Sequence, residues 1–267
     1  MNMDDCKRVC ESMTMFKQLF VSLYSPVHIA RFRFQKIGKA IGYVFFLTFI
    51  AALPMGAYFA VSLNKTIVNA SELLKDELPP FEIIDGKLVS SATEPIEIFK
   101  PGLTIVFDST GTLTKDDVER YPNAIGLLQK EAVLVANTHA QYYSYAMLQD
   151  RQINAEDIHA FIRTVQSLLP VIIPVSFLVL YLFTSATKFV HITILAFIGL
   201  ILKGTLNKRG NYRQMWTLSA YSITLSTVFF TIMESLQIVV PYAVALDWFV
   251  SITVLLLVIK ELPSLKQ

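Results

Sequence analysis

Three stretches of this chain hold no charged side chain at all: Ala40 to Leu63, Leu168 to Thr187 and Gln214 to Met233. A helix needs about 20 consecutive apolar residues to cross a hydrocarbon core of about 30 Å, and each stretch supplies them. Two shorter apolar runs, Phe189 to Leu202 and Trp248 to Ile259, need polar-edge neighbours to complete a crossing. Soluble domains carry roughly 25% charged residues; this chain carries 16%, gathered in blocks between the uncharged runs. The pattern argues against a water-soluble globular protein. It predicts an α-helical polytopic membrane bundle of 4–5 hydrophobic segments, with a small α+β extracytoplasmic domain inserted after the first. The region before the first run is long and polar, unlike a cleavable leader, so the first span is expected to remain as an anchor.

Charge sets the expected orientation. Residues 1–39 hold seven Lys/Arg against three acids, a net of +4; residues 64–165 hold nine against fifteen, a net of −6; residues 166–267 hold seven against three, again +4. Cytoplasmic flanks are enriched in Lys and Arg. Arg31, Arg33, Lys36 and Lys39 therefore place the N-terminal tail inside, and the acidic region falls outside the cell membrane. The basic loop 203–213, with Lys203, Lys208, Arg209 and Arg213, belongs inside by the same rule. That requires residues 168–202 to make one net crossing, as a long tilted helix or with Pro170 and Pro174 as breakers; two crossings would carry the loop outside.

The expected organisation is a cytoplasmic tail over 1–39, a first transmembrane helix over 40–63, an acidic extracytoplasmic domain over 64–165 and a transmembrane bundle over 166–267. Residues 13–36 alternate apolar and basic side chains and read either as an interfacial amphipathic helix or as a helix packed on the bundle. Met13 and Met15, like Met1, are candidate start residues. In the acidic region a polar helical stretch from Lys65 to Glu77 ends at Pro79-Pro80. Strand signals follow at Phe81–Ile84, 87–89, 96–99, Leu103–Phe107, 132–136 and 141–148, with a turn at Asp85-Gly86 and a helical patch around 116–130. Asn154-Ala-Glu-Asp reads as a helix start. Asn64 and Asn69 open glycosylation sequons, which carry meaning only in a secretory pathway.

Asp108-Ser-Thr-Gly-Thr-Leu-Thr, at the end of the run Leu103–Phe107, resembles the phosphorylation motif of P-type ATPases and the haloacid dehalogenase superfamily. That resemblance implies an aspartyl-phosphate hydrolase with Asp108 as nucleophile and magnesium as shield. Ser109 stands where the ATPases have Lys and the phosphatases a second Asp. About 60 residues separate Asp108 from the next apolar block, too few for the doubly wound core such chemistry uses. The preferred reading is a strand ending in a Ser-Thr-Gly turn, and the chain is expected to be no enzyme.

Acids inside spans are costly and often functional. Glu234 ends the run Phe229-Phe-Thr-Ile-Met, and Asp247 precedes the last apolar stretch beside Trp248; Lys188 and His191 are candidate partners for them. Cys6 and Cys10 share one helical face but do not complete a zinc site. The four histidines show no metal-ligand spacing, so no cofactor or metal is expected, and the basic loop is too interrupted to argue for nucleic acid.

Three segments, Phe16-Lys-Gln-Leu-Phe-Val-Ser-Leu-Tyr-Ser-Pro, Phe107-Asp-Ser-Thr-Gly-Thr-Leu-Thr and Tyr212-Arg-Gln-Met-Trp through Phe229-Phe-Thr-Ile-Met-Glu, resemble a bacterial membrane family of unassigned role, domain of unknown function 1189. Some members carry a maltodextrin-utilisation label, which implies an accessory role. Lys208-Arg-Gly-Asn-Tyr-Arg-Gln followed by Ala220-Tyr221 is similar to the Yip-domain family, which implies partner binding at a membrane. Neither resemblance supplies catalytic residues. The expected function is therefore that of a multi-pass cell-membrane protein, an accessory or partner-binding component of the envelope. Its partners are expected to be the lipid bilayer and another membrane or envelope protein. A transporter using Glu234 and Asp247 is the alternative.

Overall fold

The structure is a computed structural model, and it describes residues 13–100, 102–136, 139–148 and 152–264. Cys6 and Cys10 lie outside the described residues. Two compact units divide the chain: a helical unit of residues 1–61 and 171–267, and a second unit spanning Ser62–Pro170.

Among the described residues the helical unit contains α1 (Met15–Tyr24), α2 (Pro26–Arg31), α3 (Ile37–Asp76, its first part), α5 (Ala155–Thr205, its last part), α6 (Tyr212–Ser222), α7 (Thr224–Ser235) and α8 (Ala243–Lys260). Among the described residues four helical stretches are long and apolar enough to cross a membrane: Ile37–Asn69, Glu156–Thr205, Tyr212–Ser235 and Ala243–Lys260. Residues 168–202 thus lie in one unbroken helix, and Pro170 and Pro174 do not interrupt it. At about 1.5 Å per residue, the 40 residues of α3 and the 51 of α5 make each helix much longer than a hydrocarbon core requires.

The stretch α6–α7 is the centre of this unit, with 67% of its apolar window buried against 22%, 6% and 28% for the other three. Its composition explains the break at Ile223. Ser222, Thr224 and Ser226 turn their hydroxyls back onto the carbonyls of Leu218, Tyr221 and Ile223, and such back-bonding bends helices. Around it pack Leu19 of α1, Ile29 of α2, Phe32 of the 3-10 turn before α3, Tyr43 and Leu47 of α3, Ile192 and Leu195 of α5, and Leu255 and Ile259 of α8.

Residues 13–36 form two short helices split at Ser25-Pro26, followed by a 3-10 turn at Phe32–Phe34. In α1 the buried side holds Gln18 and Ser22 beside Leu19 and Val21, while Phe16, Phe20 and Tyr24 are exposed at four-residue spacing. A helix that turns amides inward and aromatics outward suits an apolar surrounding.

The second unit holds two sheets. β1 (Phe81–Ile84) pairs with β2 (Lys87–Ser90) and β8 (Ile153–Asn154). β3 (Ile96–Lys100), β4 (Leu103–Phe107), β5 (Asn123–Leu127), β6 (Glu131–Ala136) and β7 (His139–Ser144) form a five-stranded sheet in that order, antiparallel except for β4 and β5. Asp85 and Gly86 both take positive φ, 52° and 72°, the two-residue geometry that matches strand twist. One face of the larger sheet packs Phe107 against Phe81, Ile83, Leu88 and Tyr145. Its other face packs Val106, Ala124, Val133 and Val135 beneath Val118 of α4 (Lys115–Glu119).

Two expectations for this unit fail: the strand expected over 141–148 ends at Ser144, with Tyr145–Leu148 a 3-10 helix, and the helical patch is cut short. The helical patch around 116–130 is α4 for five residues only, and 123–127 is strand β5. Pro122 disfavours helix in the residue before it, and alternate side chains of β5 are buried. Gly126 is required there, since a Cβ would come within 2.8 Å of Val118 Cγ2.

Candidate functional site

Among the described residues, the helical unit brings together Lys188 and His191 of α5 with Asp247 of α8. Lys188 Nζ lies 3.8 Å and His191 Nδ1 3.5 Å from Asp247 Oδ2. Spacing on α5 accounts for the first half of this arrangement, since residues three apart share a helix face. Asp247 is the fifth residue of α8, which sets it within that helix's first turns. Lys188 also donates to Thr227 Oγ1 of α7 at 3.3 Å, and the His191 ring lies 4.1 Å from that of Trp248. The cluster is not saturated: His191 Nε2 and Asp247 Oδ1 are buried without a hydrogen-bond partner.

Glu234 does not join the Asp247 cluster. It sits in the last turn of α7 and lines a cavity of about 210 Å³ between α3, α5 and α7. Lys188 and Thr227 line the same cavity, so Lys188 is the residue common to both arrangements. Gly56 and Phe177 form part of the wall, and a Cβ on Gly56 would collide with the Phe177 ring. Among the described residues no three His, Cys, Asp or Glu side chains gather as a metal ion requires.

The basic loop divides into two kinds of cation. Lys203 donates to the Gly210 carbonyl, and Lys208 to the Leu262 carbonyl at 2.8 Å. Arg209 N donates to Pro263 O at 3.0 Å, which joins the loop to the segment after α8. Arg209 and Arg213 leave their side chains exposed. A capping box between Asn211 and Gln214 starts α6.

Asp108 is fully buried at the end of β4. Its Oδ1 accepts from Thr110 N at 2.8 Å, Thr110 Oγ1 at 2.6 Å and Gly111 N at 3.2 Å, and its Oδ2 from Leu113 N at 2.7 Å. Burial pushes its pKa up, but these donors outweigh burial and hold the carboxyl below its ordinary value. Both oxygens are engaged in shaping the loop that leads to α4.

A polar network at the heart of the helical unit was not legible as a site. Tyr221 Oη stands 2.7 Å from Oε1 of both Gln18 and Gln35. Tyr43 Oη meets Thr224 Oγ1 at 2.7 Å. The only sequence signal was the Ser, Thr and Tyr content of 214–227 inside an uncharged run.

Comparison with protein-family models matches residues 16–259 to DUF1189, described as a protein of unknown function. The chain belongs to the DUF1189 family. The match takes in both units, including the Asp108 loop, Lys188, Glu234 and Asp247. No curated protein and no solved structure matches it. The resemblance seen in the sequence thus holds for this family, whose description assigns no activity to the cluster or the cavity.

Proposed function

We propose that this DUF1189 chain is a multi-pass cell-membrane protein with an accessory, non-catalytic role, which binds an envelope partner through residues 62–170. The observation that carries the reading is the outer edge of the five-stranded sheet. Among the described residues β7 has no strand beyond it, and it exposes Tyr142 and Tyr143, with Met147 following at 90% exposure. Exposed sheet edges pair with partner chains, and Tyr supplies contact area at low entropic cost. The engagement of Asp108 by four donors further supports a binding role over aspartyl-phosphate chemistry.

The orientation belongs to the same proposal. Four crossings leave the N-terminal cations, the loop 203–213 and Lys260 on one side and residues 77–154 on the other, which agrees with the charge rule. The same proposal takes a place in maltodextrin utilisation and a Yip-like manner of partner binding from resemblance.

Partner capture with the full chain and with Tyr143→Lys tests the reading. Loss of an envelope partner in the variant supports it, and the same partner set from both overturns it. Cysteines placed at Ser91, Arg209 and Glu261, after Cys6 and Cys10 are changed to Ser, test the orientation. An impermeant maleimide should label only Ser91→Cys in intact cells.

The pairing of Lys188 with Asp247 favours a second reading, a transporter subunit. Uptake that survives Asp247→Asn and Glu234→Gln together would remove it.

A further inference from the structure

We propose that the cavity between α3, α5 and α7 is a binding site for a small organic ammonium ion. The protons committed in its wall decide what it can take. Thr48 donates its hydroxyl proton to the Val44 carbonyl at 2.8 Å, Thr184 to that of Leu180, and Thr231 to that of Thr227 at 2.8 Å. All three line the cavity. With those protons committed, each Oγ1 has only lone pairs to offer a ligand. Thr227, the fourth threonine, already accepts from Lys188.

Charge points the same way. Lys188 is the sole cation in the lining, and Asp247 stands 3.8 Å from its Nζ. Glu234 has no ion-pair partner and no hydrogen bond to its carboxylate among the described residues. It also occupies the last turn of α7, where the helix dipole adds negative potential and favours a cation. Lone pairs, a carboxylate and a helix C-terminus leave one chemistry unmet, that of a positively charged N–H donor.

The rest of the lining selects an organic cation over a bare metal ion. Phe177 and Phe230 present aromatic rings, and ring faces attract ammonium groups. Met55 and Leu180 contribute apolar surface for a short hydrocarbon body. A bare calcium or magnesium ion instead takes about six or more oxygen ligands, and Glu234 with three single threonine oxygens falls short of that. The inference concerns binding and stands whether or not the chain moves its ligand across the membrane.

The test uses the full chain in an uncharged maltoside detergent, titrated calorimetrically with n-butylammonium, with n-butanol as neutral analogue and butyrate as anionic analogue. Butylammonium should bind at least tenfold more tightly than butanol. Glu234→Gln should weaken butylammonium at least tenfold, and Thr231→Val about threefold, with butanol unchanged in both. Thr231→Val keeps side-chain shape and so carries the test should Glu234→Gln fold poorly. Equal butylammonium affinity in wild type and a folded variant overturns the proposal. So does tighter binding of butyrate, which would make Lys188 the anchor.

Discussion

Lys188 and Asp247 meet across two helices, Nζ to Oδ2 at 3.8 Å, with about four-fifths of each side chain buried. His191 shares the same carboxylate oxygen at 3.5 Å. A buried pair of this kind adds little net stability when intact, because desolvation offsets attraction. Its removal from one side is different, since the remaining charge keeps its desolvation cost and loses its counter-charge.

Asp247→Asn is therefore expected to destabilise the helical unit by roughly 3 kcal/mol, read as a lowered unfolding midpoint in mixed micelles. Lys188→Met should cost a similar amount. The double variant Lys188→Met with Asp247→Asn should be closer to wild type than either single change. A strictly additive double variant would mean that the two residues act separately.

Asp108 gives a prediction with a defined sign in pH. Its folded pKa is held below the ordinary carboxylate value, so its contribution is present in full above the unfolded pKa of about 3.9 and lost as pH falls through the folded value. Asp108→Asn leaves donors facing an amide that cannot accept from all of them, at a cost of about 2–3 kcal/mol at neutral pH. The gap between variant and wild type should then shrink on acidification below pH 4. Fluorotyrosine at Tyr145, buried against the same sheet, reports unfolding of this unit by NMR. A gap independent of pH would mean that the carboxylate charge contributes nothing.

The sequence showed what depends on neighbouring residues. The Asp85-Gly86 turn, the strands on either side of it and the helix start at Asn154 are local chemistry, and Asn154 and Asp157 do cap one another. Glu234 and Asp247 stood out because acids near apolar runs are rare. What stayed hidden depends on distant partners: nothing near Tyr221 announces Gln18, 203 positions away. Strand β5 was hidden for another reason, because Asp116, Asp117 and Glu119 made a helix signal that Pro122 and the pairing with β4 and β6 cut short.

The network around Tyr221 predicts how α1 is held. Tyr221→Phe keeps the ring stack on Phe32 and Tyr43 and deletes a hydroxyl bonded to Gln18 and Gln35. Loss of about 1–2 kcal/mol is expected, concentrated at the N-terminal helices. A cysteine at buried Val21 should become more reactive toward a permeant maleimide in Tyr221→Phe. Unchanged labelling at Val21 would mean that α1 is held by its apolar contacts alone.

The packing of α3 on α5 makes the last prediction. Gly56 lies under the Phe177 ring so closely that any Cβ would collide with it, and Phe49 meets the same ring edge-on at 6.1 Å. Gly56→Ala must displace that ring, and overpacking of this sort costs about 1–3 kcal/mol. Phe177→Leu alone should cost as much through lost contact. Combined, the two changes should be less harmful than their sum, because the shorter side chain vacates the space that the new methyl group enters. Both residues line the cavity, so Gly56→Ala should also weaken butylammonium binding more than it lowers the unfolding midpoint would account for. Calorimetry and an unfolding titration on the same four proteins decide the matter, and strict additivity would show that the helices separate instead of repacking.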